Sequence, residues 1–118
     1  CDLYDERLAP LAPMVVPVSR TPNCEPAWHL YAVLIDFAAI QVTRAQLMQW
    51  LRKSGIGTQV HYIPVHLQPY YRTRYGVPEL PGSLAYYERC LSLPFFPAMT
   101  AIDVEQVVNE LGNLLPHG

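Results

Sequence analysis

Apolar residues along the chain change period from segment to segment, and each change marks an element. Residues 28–37, WHLYAVLIDF, are apolar on both alternating faces: Leu30, Ala32 and Leu34 on one, Tyr31, Val33 and Ile35 on the other. A short run apolar on both sides predicts a central strand covered by a layer on each face. Residues 43–54 switch to helical spacing, with Leu47, Met48 and Leu51 in one stripe. Thr43 followed by Gln46 is a capping box at the start of that helix, and Gly55 supplies the left-handed position at its end. Alternation returns over 57–63, with Val60 and Tyr62 on one face and Gln59, His61 and Ile63 on the other, which predicts a second strand closed by Pro64.

Beyond Pro64 the pattern breaks up. Residues 68–75 have room for one helical turn ended by Gly76, and 78–82 read as a turn or loop. Residues 83–91 predict a short helix with Ser83 as N-cap and Leu84, Tyr87 and Leu91 facing inward. A third strand follows over 91–96, cut by Pro94. Thr100 with Asp103 caps a last helix whose stripe is Val104, Val107, Val108 and Leu111, ended by Gly112. At the other end, Pro10, Pro13, Pro17, Pro22 and Pro26 forbid long regular structure. Residues 1–26 therefore read as a lead-in rather than a core element, with a frayed helix end near Tyr4 to Leu8 and a short edge strand over 14–18. The order predicts an α+β domain: a small, mostly antiparallel sheet with helices packed on it.

Composition narrows the class. The 118 residues are 51% hydrophobic and 15% charged, which suits one small globular domain and not a disordered chain. A formal charge of -2, with eight Lys and Arg scattered along the chain, gives no basic field for nucleic acid. No apolar run approaches the roughly 18 residues that a membrane helix needs. Cys1, Cys24 and Cys90 are far apart and odd in number, so neither a zinc ribbon nor a disulfide framework is indicated, and a reducing cytoplasm is expected. The chain opens on Cys1 rather than Met, which leads us to expect a portion of something longer.

Candidate chemistry concentrates in residues 55–71, GIGTQVHYIPVHLQPYY, with two of the four histidines and three of the eight tyrosines. His61 and His66 flank Pro64 and are candidate polar contacts for an oxygen-rich ligand. Equally, they suit a hydrogen-bonded sheet histidine and a surface residue. Tyr62, Tyr70, Tyr71, Tyr75, Tyr86 and Tyr87 can stack through the ring and bond through the hydroxyl, which suits sugars and bases, though such residues commonly finish a core or an interface. Arg72 and Arg74 suit phosphate or plain solvation. A metal site would need His29, Asp36 or Cys90 as a third ligand, and none is predicted. The lone lysine, Lys53, falls in the last turn of a helix, where a cation favours the free carbonyls. No Walker, G-x-G-x-x-G or G-x-S-x-G pattern occurs.

The stretches Trp28-His29-Leu30-Tyr31, then the whole of 55–71, then LSLPFFPAMT over 91–100 are similar, in that order, to the C-terminal part of the DegT/DnrJ-type sugar-nucleotide aminotransferases. The wording HYIPVHLQPYY most resembles members of that family in pseudaminic acid synthesis, which make UDP-4-amino-4,6-dideoxy-N-acetyl-β-L-altrosamine. The resemblance implies a small C-terminal domain of the aspartate-aminotransferase fold (fold type I of the pyridoxal-phosphate enzymes), spanning residues 27–118 and entered through the lead-in 1–26 from a missing large domain. It implies an enzyme that uses pyridoxal phosphate to move an amino group from glutamate to a UDP-4-keto-6-deoxy sugar, as a homodimer. The lysine, phosphate-binding and pyridine-nitrogen residues of that family have no counterpart here, so this chain is expected to hold no cofactor and to be inactive alone. By the same resemblance the 61–71 loop faces the active-site cleft, with His61, His66, Tyr62 and Tyr70 as substrate-binding residues. Two other readings remain open: a stand-alone small-molecule-binding or regulatory module, and a purely structural or dimer-forming domain.

Overall fold

A computed structural model describes residues 1–115. Tyr31–Ile35 forms the middle strand, β2, of a three-stranded antiparallel sheet. β1 (Val15–Pro17) pairs with it in the register Val15↔Ile35, and β3 (Cys90–Leu93) in the register Tyr31↔Leu93 and Val33↔Leu91. The central placement of this strand follows from its apolar character. The covering is unequal, however. Tyr31, Val33 and Ile35 are buried, whereas Ala32 and Leu34 are half-buried. The half-covered face is a correction to a strand sealed on both sides.

The buried face of β2 meets three helices: α1 (Asp2–Leu8), α2 (Arg44–Lys53) and α5 (Ala101–Asn113). Leu47 and Leu51 of α2, and Val104, Val107, Val108 and Leu111 of α5, carry the two predicted stripes into this core. Both predicted capping boxes are present. Thr43 accepts from the Gln46 amide while the Gln46 side chain accepts from the Thr43 amide at 3.0 Å; Thr100 and Asp103 do the same, with the return bond at 2.7 Å. Gly55 follows α2 with φ 78°, which an L side chain adopts only with strain. α5 continues past Gly112 to Asn113.

The first residues are core, not a lead-in packed outside it. Tyr4 and Leu8 of α1, and Val15 of β1, are buried with the sheet. The Tyr4 ring stacks on Tyr31 at 4.5 Å, and its hydroxyl donates to the Pro94 carbonyl at 2.9 Å. Burial of a side chain such as Leu8 contributes roughly 1.5–3 kcal/mol. The prolines keep the elements short without keeping them out. Pro17 ends β1 at the sheet edge, where its missing donor costs no ladder bond. Arg20 then ties the following loop back to α1, donating to Asp2 at 2.7 Å and to Asp5, and Tyr31 donates to Asp5 from the core side.

Two more expectations are corrected. Residues 57–63 do not form a strand: Gln59 alone pairs, with Ser92, through two backbone bonds of 3.1 and 2.8 Å. Tyr62 and Ile63 are exposed, so the alternation has no second layer to bury, and Pro64 has no donor to extend a ladder. The helix after the loop, α4 (Pro81–Arg89), starts two residues before Ser83, because proline is suited to the first helical position. It buries none of its residues: Leu84 and Tyr86 are exposed and Tyr87 is half-buried. Leu91 has already passed into β3. Arg44 holds the end of α4, donating to the Tyr87 carbonyl and to that of Cys90 at the start of β3, and lies 4.7 Å over the Tyr87 ring.

Candidate functional site

The Gln59–Ser92 rung fixes where the 60–76 segment leaves the sheet. Two residues on, His61 turns its Nδ1 to the Ser92 hydroxyl at 2.9 Å. Ser92 is buried in β3, 6% exposed, and this bond satisfies a polar group that the core otherwise leaves dry. The Tyr62 ring meets the His61 ring edge-on at 4.8 Å and is itself 71% exposed.

After Pro64 the chain makes a single 3-10 turn, Val65–Leu67, and then a short helix, α3 (Pro69–Tyr75), opened by its own proline and closed by Gly76 at φ 73°. Gln68 steadies the turn by donating to the Ile63 carbonyl at 3.3 Å. α3 buries nothing. Its tyrosines instead form an outward run: Tyr70 meets Tyr71 edge-on at 5.2 Å, and Tyr71 stacks with Tyr75 at 6.4 Å. Arg74 donates to the Tyr70 hydroxyl at 3.3 Å and lies 5.6 Å over the Tyr75 ring.

His66 lies between two adjoining clefts. One, of about 400 Å³, is lined by Val65, His66, Tyr71, Tyr75 and Leu80 among others. The other, of about 310 Å³, runs from His66 and Leu67 to Val77, Leu80 and Leu84. Both are open grooves with mostly apolar walls. They suit a ring face far better than a charge.

The four predicted residues thus fall in three places. His61 and Tyr62 sit together at the sheet edge. His66 lines the clefts, and Tyr70 stands on the outer face of α3. No hydrogen bond joins His61 to His66 among the described residues. Sequence reasoning missed Ser92, and held Tyr71 and Tyr75 only as members of a tyrosine-rich stretch. Ser92 had one signal, a polar residue inside the apolar run of 90–93, which demands a partner. Tyr71 and Tyr75 share a face of α3 at i, i+4, but that face shows only once the helix is known.

Other candidates take structural parts. Asp36 accepts the Ala39 amide at 2.9 Å in a turn, and His29 is exposed with its Nδ1 3.3 Å from the Ala27 carbonyl. Burial pushes the Cys90 thiol up, away from the reactive thiolate. No cluster of three His, Cys, Asp or Glu able to hold a metal ion occurs among the described residues, and no helix there is long and apolar enough to cross a membrane. Lys53 is exposed in the last turn of α2.

Comparison with known proteins adds the class. The model of the DegT/DnrJ/EryC1/StrS aminotransferase family matches residues 1–112. The chain belongs to that family. Among curated relatives, it is 36% identical over 115 residues to the uncharacterized protein MJ1066 of Methanocaldococcus jannaschii, covering 96% of this chain and 30% of that one. It is 40% identical over 92 residues to the spore coat polysaccharide biosynthesis protein SpsC of Bacillus subtilis, covering 75% of this chain and 24% of SpsC. Among solved structures, the PLP-form of the putative sugar aminotransferase Spr1654 from Streptococcus pneumoniae superposes with a TM-score of 0.81 at 25% identity, over 96% of this chain and 29% of that one. PseC of Helicobacter pylori, described as an aminotransferase of pseudoaminic acid biosynthesis, shares the fold with a TM-score of 0.83 at 21% identity, over 96% and 30%. The chain therefore spans about a third or less of these proteins, and its α+β fold is the one that fold-type-I sugar aminotransferases use.

Proposed function

We propose that this chain is the C-terminal small domain of a pyridoxal-phosphate-dependent aminotransferase, with residues 1–26 both leading in from a large domain and packing into the small domain's core. The enzyme transfers an amino group from glutamate to a UDP-4-keto-6-deoxy sugar, as a cytoplasmic homodimer. The observation that carries this reading is the family match over residues 1–112, with the aromatic 61–75 segment left facing outward. The sugar assignment is supported by the HYIPVHLQPYY wording.

This chain does not fit the cofactor. A Schiff base requires a desolvated lysine, and Lys53 is the sole lysine and exposed. The residues that hold pyridoxal phosphate must then come from elsewhere in the enzyme, and the chain alone is inactive. What it contributes is recognition: His61 and His66 bond to substrate oxygens, and Tyr62 and Tyr70 offer ring faces and hydroxyls.

Borohydride reduction of the natural gene product followed by peptide mapping tests the enzyme reading. The expected result is a phosphopyridoxyl-lysine outside this chain; no label on any lysine overturns it. In the same product, His61→Ala is expected to raise KM for the keto sugar nucleotide while leaving the affinity for pyridoxal phosphate unchanged. An unaltered kcat/KM for the keto sugar overturns the part given to His61. One observation favours a second reading, a small-molecule-binding module: two apolar-walled clefts adjoin at His66. Absence of the lysine label together with saturable binding of UDP-sugar would select it.

A further inference from the structure

The proposed contact between His61 and substrate leaves open which ring atom makes it and with what polarity, and the inference that follows rests on that contact. The imidazole has two inequivalent nitrogens, and in the neutral ring one donates while the other accepts. Nδ1 lies 2.9 Å from Ser92 Oγ. That bond can be made in two ways. The serine hydroxyl donates to a bare Nδ1, or a protonated Nδ1 donates to the serine oxygen.

Ser92 distinguishes them. Its backbone amide and carbonyl are taken up by Gln59, at 2.8 and 3.1 Å. Its side chain is buried in β3, and His61 is the hydroxyl's hydrogen-bond partner among the described residues. If Nδ1 carried the proton, the serine O–H would be a buried donor with no acceptor, which folded chains avoid at a high penalty. If the hydroxyl donates, the buried serine hydrogen is satisfied and the ring proton resides on Nε2, the nitrogen turned away from Ser92. Nε2 has no partner among the described residues, and the ring is half-buried.

We propose that Ser92 is the positioning residue for His61. Its hydroxyl holds the imidazole as the Nε2–H tautomer, so that His61 offers a hydrogen-bond donor. The substrate group it recognises is then an acceptor oxygen, such as a phosphate or carbonyl oxygen of the nucleotide sugar, and not a hydroxyl acting as donor. Two neighbours keep the ring in place: the Gln59–Ser92 rung, two residues before it, and the edge-on Tyr62.

The test uses the natural gene product labelled with ¹⁵N-histidine, in long-range ¹H–¹⁵N correlation spectra at mildly alkaline pH. His61→Ala identifies the His61 signals. The expected pattern is a protonated Nε2 and an unprotonated Nδ1, giving way to a mixture of tautomers in Ser92→Ala and returning in Ser92→Thr. A protonated Nδ1 in the unmodified protein overturns the inference, as does an unchanged pattern in Ser92→Ala. Should Ser92→Ala fail to fold, the tautomer of the unmodified protein decides alone. Kinetics separate this inference from the reading it rests on. Ser92→Ala is expected to raise KM for the keto sugar nucleotide roughly threefold to tenfold, the worth of one hydrogen bond, with Ser92→Thr restoring it. An Nε2–H tautomer with KM unmoved in both Ser92→Ala and His61→Ala overturns the substrate contact.

Discussion

Tyr4 and Tyr31 carry most of the unusual acid–base behaviour of the chain, and both are in its core. Burial pushes the Tyr4 phenol well above its ordinary value, with the Asp103 charge adding to the effect. Burial does the same at Tyr31, with the hydrogen bond to Asp5 and its charge adding to it. In the unfolded chain each phenol titrates near 10. Because the fold favours the neutral phenols, their contribution is complete below about pH 10 and is lost as pH rises beyond it. The urea midpoint is expected to be clearly lower at pH 11 than at pH 9, with Tyr31→Phe less sensitive to the change. A midpoint that holds to pH 11 contradicts this account. Single-residue signals of this kind were hard to read in advance. Tyr4 counted only as part of a frayed helix end, because nothing local in 1–8 tells that its ring will stack on a strand 27 positions later.

Elements were legible wherever their signals are local. Thr43 with Gln46, Thr100 with Asp103, and the left-handed Gly55 each depend on residues a few positions apart, and α2 and α5 lie where those signals put them. Removing one signal has a defined effect. Thr100→Ala is expected to cost about 1 kcal/mol of folding free energy, and Gly55→Ala about 1–2 kcal/mol, both read from denaturant midpoints. The failures are elements whose fate depends on distant partners. Alternation over 57–63 is real, but a strand needs a neighbour along its length, and β3 offers Gln59 a single rung. The stripe over 83–91 is likewise real, and α4 lies against β2 without burying a residue. α1 errs in the other direction. Proline density made 1–26 look peripheral, whereas Leu8 is fully buried. Leu8→Ala is expected to cost roughly 2–5 kcal/mol, as in other sealed cores; a cost below 1 kcal/mol would return α1 to the periphery.

At the scale of the molecule, polar and apolar surfaces are unevenly distributed. The radius of gyration is 15.5 Å, against roughly 13.5 Å for a compact domain of this length, so part of the chain stands away from the core. The exposed apolar surface is largely aromatic. Tyr62, Tyr70 and Tyr75 are each more than 60% exposed, and Ile63, Val65, Val77 and Leu80 add to the same stretch. Surfaces of this kind in a folded chain mark places that other protein or ligand covers. The isolated chain is expected to enhance the fluorescence of the dye ANS while its near-ultraviolet circular dichroism remains native, and Tyr62→Ser with Tyr75→Ser to reduce the enhancement. No enhancement would mean that the stretch folds back in solution. The candidate site's make-up was visible in the sequence, because histidine and tyrosine cluster there; its division into a sheet-edge pair and a cleft was not, because that depends on where the chain leaves the sheet.

The Gln59–Ser92 rung has a kinetic consequence. Each of its two amide protons is shielded by the other residue's carbonyl, so neither exchanges with deuterium until the rung parts. The two protons should therefore exchange at one common rate, faster than those of β2, and ligand in the 61–76 region should slow both together. A pair of amides in the sheet would then act as a clock for a segment that makes few backbone bonds of its own.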